Sequence, residues 1–267
     1  MKKAFLEGLK APLHISHRGG AALYPENTLY AFERAVKLHR TDVLELDVHA
    51  SADGEVVVAH DETLERCTNG AGPLSALPWR ELAQLDAAFH FTPAGDRGTP
   101  LRGKGIGLPT LKQVLAVTPG LRLNVEVKSA AAIGPFVSLV RAEGCLDRLC
   151  IGSEHDSIAA ELARQLPGAC HFYPRDALAA FVLPTKGGEP PDDDPRYTVL
   201  DMPYRYEGVI LFDAELTKVA QAHGKWINVW TVDEDVEMRR CIRDGVGGVM
   251  TDRPDVLRAV LSSAAPA

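Results

Sequence analysis

Val43-Leu44-Glu45-Leu46-Asp47-Val48 is an apolar run that carries two carboxylates two residues apart. Side chains of a strand repeat with a period of two, so Glu45 and Asp47 share a face. In a central strand of a barrel that face is buried, and both carboxylates cannot reach solvent. Two buried acids side by side repel, and each is raised in pKa unless a cation joins them. Asn124-Val125-Glu126-Val127-Lys128 repeats the arrangement one strand later, with Glu126 and Lys128 on one face. One acid alone reads as a salt bridge or a capped strand end. Three at strand C-termini, Glu45, Asp47 and Glu126, offer oxygen ligands to one hard divalent cation such as Mg2+ or Ca2+.

Outward from these two segments, short β-branched runs alternate with amphipathic stretches nearly from end to end. Strands are predicted at 12–17, 42–49, 121–128, 148–153, 169–173, 198–202, 225–232 and 246–251. Helical patterns fall at 28–40, 109–117, 133–143, 156–166, 175–182, 213–223, 234–243 and 254–261. Eight strands and eight helices predict a (β/α)8 TIM barrel, an α/β fold, as a single domain over 1–267. A doubly wound sheet is the alternative, but its early Gly-rich fingerprint is missing, and Gly245-x-Gly247-Gly248 lies at the last strand without a third glycine. Residues 51–108 exceed the repeat, with an extra strand at 56–60, a short helix near 78–86 and a Gly-rich loop over 92–108. Following the second strand, this insertion is expected to rise over the C-terminal face, where barrel enzymes place their sites. The irregular loop 184–197 joins a helix to the next strand, belongs to the opposite face, and receives no catalytic role.

Lys plus Arg number 29 against 36 Asp plus Glu, a formal net charge of −7, so the basic footprint of a nucleic-acid partner is absent. A phosphorylated substrate is still compatible, because a metal ion inverts the local sign of a carboxylate-lined site. There is no apolar run of about 18 residues that would span a membrane. At the start, MKKAFLEGLKAPLHIS, Glu7 and Lys10 interrupt any secretory apolar segment, so the chain is read as cytoplasmic. The five cysteines are scattered without C-x-x-C, which suggests buried thiols rather than disulfides or a zinc knuckle.

Two histidines close strands: His17 in HISHRGG and His60 in VVVAHD. A lone histidine is more often structural, and His14, His39, His49, His90, His155, His171 and His223 are read as structural or exposed. Paired at strand ends beside the acids, His17 and His60 suit general acid and general base. Arg18 adds a planar donor fork that matches phosphate. Metal, two histidines, Arg18 and Lys128 together describe phosphoester cleavage.

The motifs HRG at 17–19, PENT at 25–28, ELDV at 45–48, VVVAHD at 56–61, LPTL at 108–111, NVEVK at 124–128, VWTVD at 229–233 and DGVGGVMTDRP at 244–254 run in order along nearly the whole chain. In this the chain resembles the glycerophosphodiester phosphodiesterases. The resemblance implies a TIM barrel, a divalent metal, and hydrolysis of small-molecule glycerophosphodiesters to sn-glycerol 3-phosphate and an alcohol. Position by position it implies His17 and His60 as the catalytic pair, Glu45, Asp47 and Glu126 as metal ligands, Arg18 and Lys128 facing phosphate, and Trp230 as an aromatic wall. The nucleophile is water or the glycerol 2-hydroxyl, and either histidine serves as acid or base. Asn27 of PENT is read as satisfying a helix start or as a substrate contact, while Thr251 and Asp252 end the last strand, with Asp252 suited to capping the helix that Pro254 opens, and are left out of catalysis. Arg97, Arg102 and Lys104 in the loop 92–108 are candidates for biasing the pocket toward an anionic leaving group.

Two rival readings use the same residues. A lysophospholipase D or sphingomyelinase D-like enzyme wants a secreted, disulfide-bonded chain with an apolar rim, and the first two are not suggested. A catalytically silent barrel that binds glycerophosphodiesters has no need of the second histidine.

Overall fold

The structure is a computed structural model that describes residues 3–264, so the ends of the expected 1–267 domain lie outside the described residues. Its elements, in chain order, are β1 (Leu13–Ser16), α1 (Leu29–His39), β2 (Val43–Ala50), β3 (Val56–Val58), α2 (Trp79–Leu82), α3 (Leu111–Val117), β4 (Arg122–Val127) and α4 (Ala130–Glu143). There follow β5 (Leu149–Gly152), α5 (Asp156–Gln165), β6 (Cys170–His171), α6 (Arg175–Lys186), β7 (Val199–Pro203), β8 (Arg205–Tyr206), β9 (Val209–Ile210), α7 (Ala214–Ala222), β10 (Trp226–Trp230), α8 (Asp235–Arg243), β11 (Gly248–Thr251) and α9 (Pro254–Ala264). Every predicted strand and main helix meets one of these. Helix starts follow from local chemistry: Thr28 accepts from the Ala31 amide at 3.2 Å, Asp213 from that of Leu216 at 2.9 Å, and Thr110 forms a capping box with Gln113.

Eight strands stand in the order β6-β5-β4-β2-β1-β11-β10-β7, with neighbouring pairs parallel. β6 and β7 meet through a parallel bridge between Phe172 and Val199, with the Thr198 amide donating to the His171 carbonyl at 2.8 Å and that of Tyr173 to Val199 at 2.9 Å. The result is a nearly closed (β/α)8 TIM barrel, and the doubly wound alternative is excluded.

Alternation explains why the strands read as continuous apolar runs. Leu44, Leu46 and Val48 of β2 and Leu123, Val125 and Val127 of β4 pack in one core with α1, α3 and α4. The intervening residues face the other way. At the N-terminal end of the strands Leu13, Ile15, Val43, Cys150, Cys170 and Val199 form a separate apolar cluster, joined by Phe5 and Leu6. One step further along the same face stand Glu45, Asn124, Asp201 and Asn228, and then Asp47 and Glu126. The barrel interior thus passes from apolar to acidic toward the strand C-termini. No helix among the described residues is long and apolar enough to cross a membrane.

Three details depart from expectation. α6 runs past 182 to Lys186, through Pro184: the Ala180 carbonyl that a proline at 184 cannot bond accepts from the Asp192 amide at 3.1 Å. The helix expected over 78–86 keeps only Trp79–Leu82. The β8–β9 hairpin, absent from the sequence reading, follows β7 through the two-residue turn Glu207-Gly208, both at positive φ. Within the insertion β3 pairs antiparallel with β2, and Val57, Leu64, Leu74 and Leu82 form a small core of their own.

The interior leaves no space at Gly248. A Cβ there would stand 2.5 Å from Asn228 Oδ1 and 2.6 Å from Ile15 Cδ1. Gly248→Val is expected to cost about 1–3 kcal/mol of stability through overpacking, read as a lower urea midpoint with unchanged slope. An unaltered midpoint would contradict this packing.

Candidate active site

A cavity of about 900 Å3 is lined by His17, Arg18, Glu45, Asp47, His60 and Lys128 among others. His17, Arg18, His60 and Lys128 lie just beyond the ends of β1, β3 and β4, and Glu45 and Asp47 stand within β2, past the level at which β1 ends. The chain leaves β1 in a short 3-10 turn, His17–Gly19, with Arg18 at φ 49. That turn aims the Arg18 amide at Glu45 Oε2, 2.9 Å away, and its guanidinium at Glu26 Oε1, 3.1 Å away. Arg18 Nε lies 3.4 Å from Asp47 Oδ2, is buried, and has no hydrogen-bond partner among the described residues.

The acids are neutralised unequally. Asp47, 1% exposed, meets Lys128 Nζ at 3.0 Å and accepts from Asn27 Nδ2 at 2.9 Å. Burial alone would raise its pKa, but Lys128 and Arg18 outweigh burial and hold it below the usual carboxylate range. Glu45 is pushed up to about 8, first by burial and then by Asp47. Glu126 completes the group: its Oε2 accepts from Lys128 at 2.7 Å and its Oε1 from the Glu154 amide at 3.1 Å. Deeper in the barrel Asp201 is held at about 6 by burial, bonded to Asn124.

Each catalytic-candidate histidine is tied to a carboxylate through Nδ1. His17 Nδ1 lies 2.7 Å from Asp252 Oδ1, and Asp252 is itself fixed by Asp233, whose Oδ1 accepts from the Asp252 amide and from Thr251 Oγ1, both at 2.8 Å. Burial would discharge His17, but Glu45 and Asp252 raise its pKa above the ordinary value. His60 Nδ1 lies 2.7 Å from Asp61 Oδ1, and its carbonyl accepts from His49 Nε2 at 3.0 Å. Asp61 is lowered to about 2, chiefly by Arg66, which reaches its Oδ2 at 2.5 Å and Glu26 at 2.7 and 2.8 Å. A line of charge therefore runs from Arg18 through Glu26, Arg66 and Asp61 to His60.

His17, His60, Arg18, Lys128, Trp230, Glu45, Asp47 and Glu126 all line one cavity. Four assignments are corrected or extended. Asn27 is no helix cap; Thr28 caps α1, and Asn27, at φ 57, holds Asp47. Asp252, expected only to cap the last helix, is instead the partner of His17. Asp61 and Arg66 were not singled out by sequence, although Asp61 adjoins His60. Arg97, Arg102 and Lys104 do not line the cavity, and Arg102 stacks 4.3 Å from the Phe89 ring and donates to its carbonyl.

As a cation site, the donor set fits in chemistry. Glu45, Asp47 and Glu126 are hard oxygen donors, with Asp47 opposite Glu126 in the parallel register. Lys128 bridges Asp47 and Glu126, and no three metal-capable side chains are already gathered about one point among the described residues.

The fold is shared with solved structures. It superposes on the glycerophosphoryl diester phosphodiesterase domain of a Mycobacterium tuberculosis protein with a TM-score of 0.84 at 23% identity, over 95% of this chain and 100% of that one. An Oleispira antarctica phosphodiesterase, solved in complex with the product sn-glycerol-3-phosphate, gives a TM-score of 0.75 at 23% identity, over 94% and 97%. In sequence the chain is 31% identical to the glycerophosphodiester phosphodiesterase of Caldanaerobacter subterraneus subsp. tengcongensis, over 92% of this chain and 96% of that protein. It is 29% identical to human lysophospholipase D GDPD1, over 93% and 85%. With the profile of the Glycerophosphoryl diester phosphodiesterase family matching residues 17–256, the chain belongs to that family.

Proposed function

We propose that the chain hydrolyses glycerophosphodiesters to sn-glycerol 3-phosphate and an alcohol. The observation that carries this is the pair of carboxylate-anchored histidines, His17–Asp252 and His60–Asp61, on one cavity with Arg18 and Lys128. Family membership and the similar Caldanaerobacter enzyme support the substrate class.

A carboxylate at 2.7 Å keeps the proton on Nδ1 of each ring, so Nε2 is the atom that exchanges protons with substrate. One histidine takes a proton from the nucleophile as its oxygen bonds to phosphorus; the nucleophile is water, or the glycerol 2-hydroxyl, in which case a cyclic phosphate forms and water then opens it to glycerol 3-phosphate. The other gives a proton to the alcohol oxygen as that P–O bond breaks. Arg18, with Nε unpartnered, and Lys128 bind the phosphoryl oxygens and stabilise the charge that develops on them. Glu45, Asp47 and Glu126 would hold one Mg2+ or Ca2+, which when bound supplies Lewis-acid stabilisation of the phosphoryl group. Trp230, at the cavity margin, forms an aromatic wall to the pocket.

Release of glycerol 3-phosphate from glycerophosphocholine and glycerophosphoethanolamine, with Mg2+, Ca2+ or EDTA, tests the reading, and no release with any metal would sink it. His17→Ala and His60→Ala are each expected to lower kcat by roughly 10²–10⁴-fold. Chelation is expected to abolish turnover and restored cation to recover it; full activity in EDTA would remove the metal from the scheme. Asp252→Asn should lower kcat about 10²-fold or more with little change in KM, because it removes the acceptor that fixes the His17 tautomer. Arg66→Met should lower it by up to about 10²-fold by freeing Asp61.

A further inference from the structure

Two oxygen atoms of the barrel interior are left without partners. Asn124 of β4 and Asp201 of β7 stand one layer below Glu126, on strands separated by β5 and β6. They meet across the interior, where Asn124 Nδ2 donates to Asp201 Oδ2. The other oxygen of each, Asn124 Oδ1 and Asp201 Oδ1, is buried and has no hydrogen-bond partner among the described residues. A buried acceptor without a donor is costly, and native interiors satisfy nearly all of them. An amide oxygen and an ionised carboxylate only accept, so these two cannot satisfy each other. The surroundings do not supply the missing donor. β10 places Asn228 opposite Asp201, with its own Oδ1 taken by Trp226 Nε1 at 2.9 Å, and β5 places the Cys150 thiol opposite Asn124. Of the charged groups that act on Asp201, Glu126 on β4 opposes its ionisation and His17, beyond β1, favours it. Burial outweighs the donors and holds the carboxyl at about 6.

A proton on Asp201 Oδ1 removes both unpartnered atoms together, because the carboxyl becomes a donor and Asn124 Oδ1 is the acceptor within the same pair. We propose that Asp201 carries this proton, forms a reciprocal acid–amide pair with Asn124, and thereby positions Glu126 and Lys128 at the end of β4. A bond that only the protonated carboxyl can make opposes ionisation further. Asn124, Glu126 and Lys128 share one face of the strand, and Lys128 bridges Glu126 to Asp47. Two parallel bonds hold the Asn124 amide against rotation, where one would let it swing. A neutral Asp201 also adds no further negative charge beneath Glu45, Asp47 and Glu126. Asp201 touches neither phosphate nor nucleophile in this scheme, so it is a positioning residue. Its effect on turnover rests on the phosphodiesterase reading above, whereas the proton and the acid–amide pair do not.

Asp201→Asn replaces the O–H donor by an N–H donor at the same place and keeps both bonds, while Asp201→Ala removes them. kcat for glycerophosphocholine is expected to fall by up to about 10²-fold in Asp201→Ala and to return close to the native rate in Asp201→Asn. Infrared difference spectra of the native protein against Asp201→Asn, taken near pH 6 where ordinary carboxyls are ionised, should show the carbonyl stretch of one protonated acid in the native protein. Urea unfolding supplies a third readout. The folded state holds this proton more tightly than the unfolded chain, so the stability of the native protein relative to Asp201→Asn is greatest below about pH 4 and is lost as the pH rises through the folded value, at or above about 6. A difference spectrum without that band, Asp201→Asn as slow as Asp201→Ala, or a stability difference flat across that pH range would each overturn the inference. Should Asp201→Ala fail to fold, the infrared and unfolding comparisons of native protein with Asp201→Asn decide alone. Absence of hydrolysis by the native protein on every substrate would instead remove the phosphodiesterase reading, with the same two comparisons still deciding whether Asp201 holds the proton.

Discussion

Glu45 and Asp47 are buried two residues apart on one strand, and most of the site is arranged by the need to neutralise them. Lys128 and Arg18 draw Asp47 down, while Glu45 is left near 8 with only an amide, His17 and the more distant guanidinium against it. A pair of acids that is half compensated is an unstable thing to bury, since an unpaired interior charge is costly. Its position at the open, C-terminal end of the barrel reconciles burial with access to ligands. The apolar cluster of Leu13, Ile15, Val43 and Val199 fills the other end, so stability and chemistry occupy opposite ends of the same interior.

The histidines depend on that cluster in different ways. His17 shares the site with Glu45 directly, at 3.8 Å, and is turned by Asp252 from the last strand. His60 is supplied by the insertion and is reached through Asp61, Arg66 and Glu26, a chain that begins at Arg18 beside Asp47. Arg18 and His60 are therefore mechanically linked, although 42 positions separate residues 18 and 60. Removing one member leaves a neighbouring charge without its partner, so the members are expected to act as a unit rather than as independent contributions.

What could be read from sequence was whatever a local period encodes. Glu45, Asp47, Glu126 and Lys128 follow from the alternation of two, and the eight strand–helix units from the change of period between them. Asp252 escaped because its partner, His17, lies 235 positions away and its neighbour Pro254 offers a sufficient local explanation as a helix start. Asn27 was misassigned for a similar reason: PENT precedes a helix, but at φ 57 the backbone turns the side chain back to Asp47 and leaves the capping to Thr28. The β8–β9 hairpin had a signal, Glu207-Gly208 between Tyr206 and Val209, too short to stand out against a pattern of long strands. Arg102 shows the converse, a charge in a Gly-rich loop that reads as a ligand contact and instead lies on Phe89.

An acidic protein that handles a phosphodiester needs attraction only where the phosphate sits. Under the proposed function Arg18 and Lys128 would provide it locally, and Glu45, Asp47 and Glu126 would supply the donors for a divalent cation. The side of the cavity formed by α6 and the hairpin contains neither His17 nor His60 and none of Glu45, Asp47 and Glu126. Because α6 and the hairpin follow β6 and β7, three and four places from β2 in the sheet order, their side chains can change without disturbing the buried acids on which the barrel's interior is organised.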